Sequence, residues 1–236
     1  MRGPYGFEVI ENCQACKLRS TNFFCQMPAA ALKDFNALRS SAAYPKGAVL
    51  FIEKQDARGV FLLCEGQVKL SIGSSDGKTM IVHVAKPGEI LGVTAVATSA
   101  PYEATAETLR PSQVAFIRRE DFLRFMGQHP ETYQSLLKQV ASSYSGACEQ
   151  LRTVGLSASA SERLARFLLD IPQDSAQPKN QVTLPLTHEE IGECIGSSRE
   201  TVTRTFSELK SRELISIKGS TVTIPNRAAL EELVSA

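Results

Sequence analysis

Two arginines and a glutamate stand close together in the last fifth of the chain, at Arg199, Arg204 and Glu200. An arginine can donate two hydrogen bonds at once to O6 and N7 of guanine, and a glutamate can accept one from the amino group of cytosine. A helix uses such contacts to read bases in the major groove of DNA. We therefore predict that these three side chains read DNA bases. The predicted contacts to the phosphate backbone are Ser197, Ser198 and Lys218.

These side chains need a helix that holds them on one outward face, and the flanking residues predict it. Thr187 and Glu190 have the spacing of a capping box at the start of a first helix. Gly196 suits the left-handed residue that ends it, and Ser197 or Ser198 can cap a second helix. Apolar residues at helical spacing form the inner stripes, which are Ile191 and Ile195, then Val202, Phe206 and Leu209. The outward residues are Arg199, Glu200, Thr203, Arg204 and Ser207. The alternative interpretation is an ordinary surface helix with an Arg–Glu pair.

A second chemically active group is formed by cysteines near the N-terminus, Cys13, Cys16 and Cys25. Two thiolates spaced as C-x-x-C converge within one turn and can bind a metal. Three cysteines are one short of a four-thiolate shell. Three interpretations are open here: a metal cluster, another metal or a thiol switch, and inert free thiols. Cys194, in the first helix of the corner, is expected to be a small core residue.

The stretch Ser198-Arg199-Glu200-Thr201-Val202-x-Arg204 resembles the recognition helix of the CRP/FNR family of bacterial transcription regulators, in its CRP form. The resemblance extends over nearly the whole chain. It implies a homodimer that binds double-stranded palindromic DNA with TGTGA-like half-sites. Arg199 and Arg204 would then contact guanines, and Glu200 would contact a cytosine opposite them. The resemblance also implies RNA polymerase as a partner.

The N-terminal cysteines are similar to those of FNR-type oxygen sensors, which hold a [4Fe-4S] cluster, although the second gap is longer here. In those sensors the fourth ligand lies on the strand that leads into the dimer helix. The matching position in this chain is Ala115. The candidates for a substitute ligand are Cys64 and Cys148, and a ligand other than cysteine is a further alternative.

Short β-rich runs separated by glycine turns predict a small sandwich or barrel between Tyr44 and Phe116. Within the resemblance, Glu65-Gly66-Gln67-Val68 and Pro87-Gly88-Glu89-Ile90-Leu91-Gly92 match landmarks of the cyclic-nucleotide-binding β-roll. The predicted strands are 49–52, 60–64, 68–72, 80–84 and 113–117.

The resemblance does not imply that this chain binds a cyclic nucleotide. Val93 stands where nucleotide-binding members have the glutamate that holds the ribose, and Glu103-Ala104 stands where they have the Arg-Ser pair on the phosphate. A carboxylate at this place would repel the phosphate, and the bidentate donor is missing. We therefore expect neither cAMP nor cGMP to bind. An unidentified small ligand of the β-roll remains an alternative.

A long helix is predicted after Pro130, with apolar residues at alternating spacings of four and three. This pattern is typical of a coiled-coil seam and predicts a homodimer. The predicted interface residues are Tyr133, Leu137, Val140, Tyr144, Ala147, Leu151 and Val154. Gly146 is expected to interrupt the helix, residues 155–160 to act as a hinge, and the Lys218-Gly219-Ser220 turn to join two strands into a wing.

Composition limits the remaining choices. The chain of 236 residues carries 26 Lys and Arg against 25 Asp and Glu, and residues 161–236 hold nine against eleven. Specific DNA binding must therefore depend on a few side chains that face the bases and not on an overall positive charge of the domain. No apolar run approaches the roughly 18 residues of a membrane span, and no signal peptide is seen, so the protein is expected to be cytoplasmic with no membrane partner.

The predicted fold class is α+β, with a cyclic-nucleotide-binding-type β-roll, a long dimerisation helix and a C-terminal winged helix-turn-helix. The predicted parts are a cysteine-containing arm (1–28), a β-roll sensor domain (29–130), the dimerisation helix (131–156) and the DNA-binding domain (157–236). No nucleophile elbow, phosphate-cradling loop or histidine pair is present, so no enzyme is expected. The predicted function is a DNA-binding regulator that responds to oxygen or redox through its cysteines. The alternative from another class is a redox or metal protein with a vestigial DNA corner.

Overall fold

The computed structural model describes residues 4–6, 9–16, 25–157, 159–171, 178 and 180–235. The chain divides into two compact units, residues 1–146 and 147–236. The first unit is dominated by antiparallel strands and the second by short helices, so the predicted α+β class is confirmed. Within the described ranges, no helix is both long and apolar enough to cross a membrane.

The first unit is a roll of two four-stranded antiparallel sheets. One sheet has the strand order β1-β8-β3-β6, and the other has the order β2-β7-β4-β5. Their bounds are β1 Ser40–Tyr44, β2 Val49–Phe51, β3 Gly59–Glu65, β4 Val68–Gly73, β5 Thr79–Ala85, β6 Ile90–Leu91, β7 Thr105–Thr108 and β8 Ser112–Arg118. The helices of this region are α1 Ala29–Leu38, α2 Val93–Thr98 and α3 Arg119–Gln128.

Alternation along β3 sends its side chains into two separate cores. Phe61 and Leu63 point into the roll, where they meet residues of the second sheet such as Phe51. Leu62 and Cys64 point to the outer face, which α1 and α3 cover with Phe35 and Phe125 among others. Because both faces are buried, β3 reads as an unbroken apolar run, and its prediction was straightforward.

All five strands predicted for the roll are present, and the described residues of the first unit form three more, β1, β6 and β7. The sequence of β1 is Ser-Ser-Ala-Ala-Tyr, which has little intrinsic strand propensity. It forms a strand because it pairs with β8 along its whole length, from Ser40 opposite Phe116 to Tyr44 opposite Ser112. This pairing is a long-range contact that a local pattern does not reveal.

The long helix α4 runs without a break from Tyr133 to Leu156. The expectation that Gly146 interrupts it is wrong. A glycine inside a helix costs only about 1 kcal/mol relative to alanine, which a helix of 24 residues can absorb. Before the unit boundary, Gln139 docks α4 on the roll. Its amide accepts a hydrogen bond of 3.0 Å from the Ile90 N–H and donates one of 2.8 Å to the Ile90 carbonyl.

The second unit combines four short helices with a small sheet. The helices are α5 Ala160–Asp170, α6 His188–Ile195, α7 Arg199–Ser211 and α8 Arg227–Ser235. The strands β9 Gln181–Thr183, β10 Ser216–Lys218 and β11 Thr221–Thr223 form one antiparallel sheet in the order β10-β11-β9. Ser159 caps α5, because its hydroxyl accepts a hydrogen bond from the Glu162 N–H.

Candidate nucleic-acid interface and cysteine group

The corner between α6 and α7 is built by the residues that the sequence suggested. Thr187 accepts a hydrogen bond from the Glu190 N–H, and the Glu190 carboxylate accepts one of 2.7 Å from the Thr187 N–H, so the capping box is confirmed. Gly196 ends α6 in the left-handed conformation, with φ of 61°. Ser198, and not Ser197, caps α7 by accepting a hydrogen bond from the Thr201 N–H.

Close packing fixes the angle of this corner. A Cβ atom on Gly192 would lie 2.5 Å from the carbonyl oxygen of Ser197, which is closer than real contacts allow. Only a glycine therefore lets α6 pass the turn at this distance. The predicted inner stripes are confirmed, since Ile191, Ile195, Val202, Phe206 and Leu209 are all buried.

The five residues that were predicted to face outward are all exposed on α7. They line one shallow depression of about 440 Å³, and they are Arg199, Glu200, Thr203, Arg204 and Ser207. The hydroxyls of Thr203 and Ser207 donate back to the carbonyls of Arg199 and Thr203, at 3.0 and 3.1 Å. The charged side chains therefore dominate what this face offers to a partner.

Glu200 is held in its ionised form. Its own backbone N–H, the Ser198 hydroxyl and the charge of Arg199 together lower the pKa of the carboxyl. An ionised carboxylate accepts hydrogen bonds only, so at neutral pH Glu200 suits a donor such as the amino group of cytosine.

Two residues that support this face were missed in the sequence. The His188 ring stacks on Phe206, with centroids 5.0 Å apart, and its Nδ1 lies 2.8 Å from the Thr203 hydroxyl oxygen. Arg163 on α5 donates a hydrogen bond of 3.1 Å to the Ser197 hydroxyl oxygen. The only signal for His188 was its place beside the capping residue Thr187, and nothing local pointed to Arg163.

The three predicted phosphate contacts differ in their surroundings. Ser198 is exposed at the start of α7, whereas Ser197 is half-buried under the Arg163 guanidinium. Lys218 is exposed on β10, in the hairpin that β10 and β11 form as predicted. Lys218 thus stands on the wing, and the two serines stand at the start of α7.

The cysteine group lies in the first unit, against the outer face of the roll. Cys13, Cys25 and Cys64 are buried in the same apolar cluster, while Cys16 is half-buried. Burial raises the pKa of both Cys25 and Cys64 to about 12, and the neighbouring cysteines add to the shift. Burial also raises the pKa of Cys13, against the opposing charge of Arg39.

The other two cysteines belong to the second unit. Cys148 is half-buried on α4, and Cys194 is a buried residue of α6, as predicted. Across the described part of the chain, no three His, Cys, Asp or Glu side chains converge tightly enough for a single metal ion. A four-iron cube spreads its four thiolates further apart than one ion does, so this observation bears on single ions such as zinc.

Val93 and Glu103, the positions at which nucleotide-binding members contact their ligand, lie in different surroundings here. Val93 is buried at the start of α2, and Glu103 is exposed. Between them in sequence, Tyr102 is buried and stacks on Phe51, with ring centroids 4.0 Å apart. A cavity of about 440 Å³ beside these rings is lined mainly by aromatic and apolar side chains, including Tyr44, Leu50, Phe61 and Phe116.

The predicted dimer stripe on α4 is largely exposed. Leu137, Tyr144 and Leu151 each expose about 70% of their surface, at 68%, 71% and 72%. Tyr133, Val140 and Ala147 are also exposed. Val154 differs, because it is half-buried and its methyl groups lie over Gly196. A contiguous exposed apolar stripe of this kind is typical of a protein interaction surface.

Comparison with known proteins matches both units. Residues 42–129 match the cyclic nucleotide-binding domain, and residues 162–233 match the Crp-like helix-turn-helix domain. The nitrogen fixation regulation protein FixK of Bradyrhizobium diazoefficiens is 26% identical over 227 residues, which are 95% of this chain and 94% of the relative. The fumarate and nitrate reduction regulatory protein of Vibrio cholerae is 27% identical over 191 residues, covering 80% and 76% of the two chains. The structure of FixK2 from Bradyrhizobium japonicum shares the fold, with a TM-score of 0.73 at 24% identity, covering 84% of this chain and 98% of that one.

Proposed function

Because the chain belongs to the CRP/FNR family of transcription regulators, we propose that it acts as a homodimer on palindromic DNA with TGTGA-like half-sites. Its coarser function follows from the family: it is a DNA-binding transcription regulator and not an enzyme. A DNA corner that has become vestigial is not supported, since every cap and both inner stripes of α6 and α7 are intact.

The observation that carries the proposal is that Arg199, Glu200 and Arg204 line the same shallow depression, a groove on the exposed face of α7. We assign the two arginines to guanines and the glutamate to a cytosine on the opposite strand. All three side chains are exposed on the first two turns of α7, the part of a recognition helix that enters the major groove. The proposed phosphate contacts are Ser197, Ser198 and Lys218.

A homodimer is proposed from the exposed apolar stripe of α4. A single short recognition helix reads only a few base pairs, and a two-fold partner doubles the site. Burying side chains such as Leu137, Tyr144 and Leu151 would also remove exposed apolar area from water. The proposed organisation keeps an N-terminal arm, a β-roll, a dimer helix and a DNA-binding domain, with RNA polymerase as a further partner by family resemblance.

Binding-site selection with Arg199→Ala tests the base-reading role. Losing one bidentate contact should cost about 1–3 kcal/mol of discrimination and relax preference at one base pair per half-site. Arg212→Ala is the matched control, because Arg212 follows α7 outside the groove and forms an ion pair with Glu208. If Arg199→Ala and the parent chain select the same consensus, the base-reading role is wrong.

We also propose that neither cAMP nor cGMP is the effector. The exposed carboxylate of Glu103 replaces a guanidinium, and Val93 offers no partner to a ribose hydroxyl. A nucleotide present at 100 times its Kd would stabilise the fold by about 2.7 kcal/mol. A melting temperature that stays constant up to millimolar cAMP and cGMP is the expected result, and a saturable rise would overturn this part.

A second functional proposal, a response to oxygen or redox, rests on the buried thiols at the N-terminal side. Cys13, Cys16 and Cys25 would be ligands of a [4Fe-4S] cluster, which supplies an oxygen-sensitive centre when bound. The observation in its favour is that Cys13 and Cys25, in the described part of the arm, are buried against the roll. Anaerobic purification followed by iron and sulfide assays tests it, and a colourless, iron-free chain would contradict it.

A further inference from the structure

We propose that Cys64 on β3 is the fourth thiolate of the cysteine group, so that Cys13, Cys16, Cys25 and Cys64 together hold the iron–sulfur cluster. This inference rests on the redox response proposed above and names the ligand that it lacked. It also separates Cys64 from Cys148, the two candidates that the sequence left open.

The four side chains form one group in the structure. Cys13, Cys25 and Cys64 share a single apolar cluster. Cys16 lies one turn after Cys13, and its N–H donates a hydrogen bond of 3.3 Å to the Cys13 carbonyl oxygen. Cys148 and Cys194 belong to the second unit.

Cys64 lies beside the position from which the family's usual fourth ligand would come. That position is Ala115 on β8, which is buried in the same apolar cluster as Cys64. Ala115 pairs with Leu62, two residues before Cys64 on the adjacent strand β3. A thiol on β3 can therefore reach the space that a thiol on β8 would have filled.

A β-bulge lies at Cys64, where the proposed ligand is on β3 and not on β8. The register of β3 against β8 shifts between Leu63 and Glu65, so that Cys64 has no direct partner in the ladder. Bulges of this kind re-aim a side chain and often occur next to functional sites. Here the bulged residue is the buried cysteine itself, which points to the outer face beside the arm.

Three polar side chains of the roll and α1 fasten the arm next to Cys64. The buried Gln113 amide accepts a hydrogen bond of 2.7 Å from the Ile10 N–H and donates one of 2.9 Å to the Ile10 carbonyl. The Asn36 side chain accepts a bond of 3.1 Å from the Cys13 N–H, and Arg39 donates to the carbonyls of Ile10 and Glu11. A terminal arm is ordered only when it is tied down in such a way. These contacts hold Cys13 and Cys16 against the face that carries Cys64.

Anaerobic reconstitution of the full chain with ferrous iron and sulfide tests the assignment. The readouts are iron and sulfide per chain, visible absorption and Mössbauer spectra, which report the cluster without any DNA. We expect about four iron and four sulfide per chain for the parent and for Cys148→Ala, since a [4Fe-4S] cluster needs only four cysteines. Cys64→Ala should lose most of this iron.

A relocation variant guards against a trivial folding defect. In Cys64→Ala/Ala115→Cys the thiol moves to the neighbouring strand, and we expect the cluster to return. If this double variant has a normal melting curve but does not regain iron, the proposal that thiols at positions 64 and 115 reach the same space is wrong. Full iron loading of Cys64→Ala would overturn Cys64 as a ligand and leave the redox proposal standing. An iron-free parent chain would overturn both, while the DNA consensus would test the proposed reading of bases independently.

Discussion

The phenolic hydroxyl of Tyr102 donates a hydrogen bond of 2.6 Å to the carbonyl oxygen of Gly59, inside the β-roll. The Gly59 N–H donates back to the same hydroxyl at 3.3 Å, and the ring stacks on Phe51. The ring also lies so close to Gly92 that a Cβ atom there would be 2.7 Å from it. The chain's own aromatic ring thus fills space between β3 and the start of α2. Val93 and Glu103, where the family resemblance implies nucleotide contacts, lie next to Gly92 and Tyr102 in sequence.

The Tyr102 ring and its hydroxyl should contribute separately to the stability of the first unit. Tyr102→Phe leaves the Gly59 carbonyl without this buried donor and should lower the free energy of unfolding by about 1–2 kcal/mol. Tyr102→Ala also opens a cavity and should cost about 3–5 kcal/mol. Urea titration measures both values. Glu103→Ala is the control, because its side chain is exposed, and it should change stability by less than about 0.5 kcal/mol.

Local signals predicted the DNA-binding corner almost completely. Thr187, Glu190, Gly196 and Ser198 each act through neighbours within four residues, so their roles can be seen in a short window of sequence. The outward face of α7 followed from the helical period alone. What could not be predicted was support from distant residues, such as the hydrogen bond from Arg163 to Ser197, 34 positions away.

The cysteine group shows the opposite case. The spacing of Cys13 and Cys16 predicts a thiol motif, but the burial of Cys64 in the same cluster as Cys13 and Cys25 depends on strand pairing. Cys64 is brought to the arm because β3 pairs with β8 and because Gln113 on β8 binds Ile10, 103 positions earlier. Contacts over such separations are set by topology and cannot be read from periodicity. For the same reason β1, whose strand character comes from β8, was not predicted.

The exposed stripe on α4 predicts a dimer that a single charge should break. Leu137→Glu places a carboxylate at the proposed seam, where a partner helix would bury it without a counter-charge. We expect the chain to become monomeric at micromolar concentration, as measured by sedimentation equilibrium. Ser142→Glu is the matched control, because Ser142 is exposed on the opposite face of the same helix. A Leu137→Glu chain that remains dimeric would show that the two-fold contact lies elsewhere.

Ser198 has two roles that substitution can separate. Its hydroxyl caps α7, and Ser198→Ala should cost about 1 kcal/mol of stability as well as DNA affinity. Ser198→Asp keeps a good cap but brings a negative charge to the proposed phosphate contact. We therefore expect Ser198→Asp to unfold at the parental urea concentration and to bind a half-site palindrome at least tenfold more weakly in fluorescence anisotropy. Parental affinity of Ser198→Asp would remove Ser198 from the phosphate contacts.

The corner between α6 and α7 should tolerate no side chain at position 192. Gly192→Ala would bring a Cβ atom to 2.5 Å from the Ser197 carbonyl oxygen, and the next nearest atoms also belong to the backbone of Ser197 and Ser198, so no flexible side chain can yield. We expect a loss of about 1–3 kcal/mol from this overpacking, together with a displaced α7 and weaker specific DNA binding.

Gly146→Ala provides the contrast, because a Cβ atom there meets nothing within 4 Å of its own chain. Because Gly146 lies inside a helix, its replacement by alanine should stabilise the chain by about 0.5–1 kcal/mol. Thermal unfolding followed by circular dichroism measures both changes, and equal melting temperatures for the two variants would contradict the steric argument.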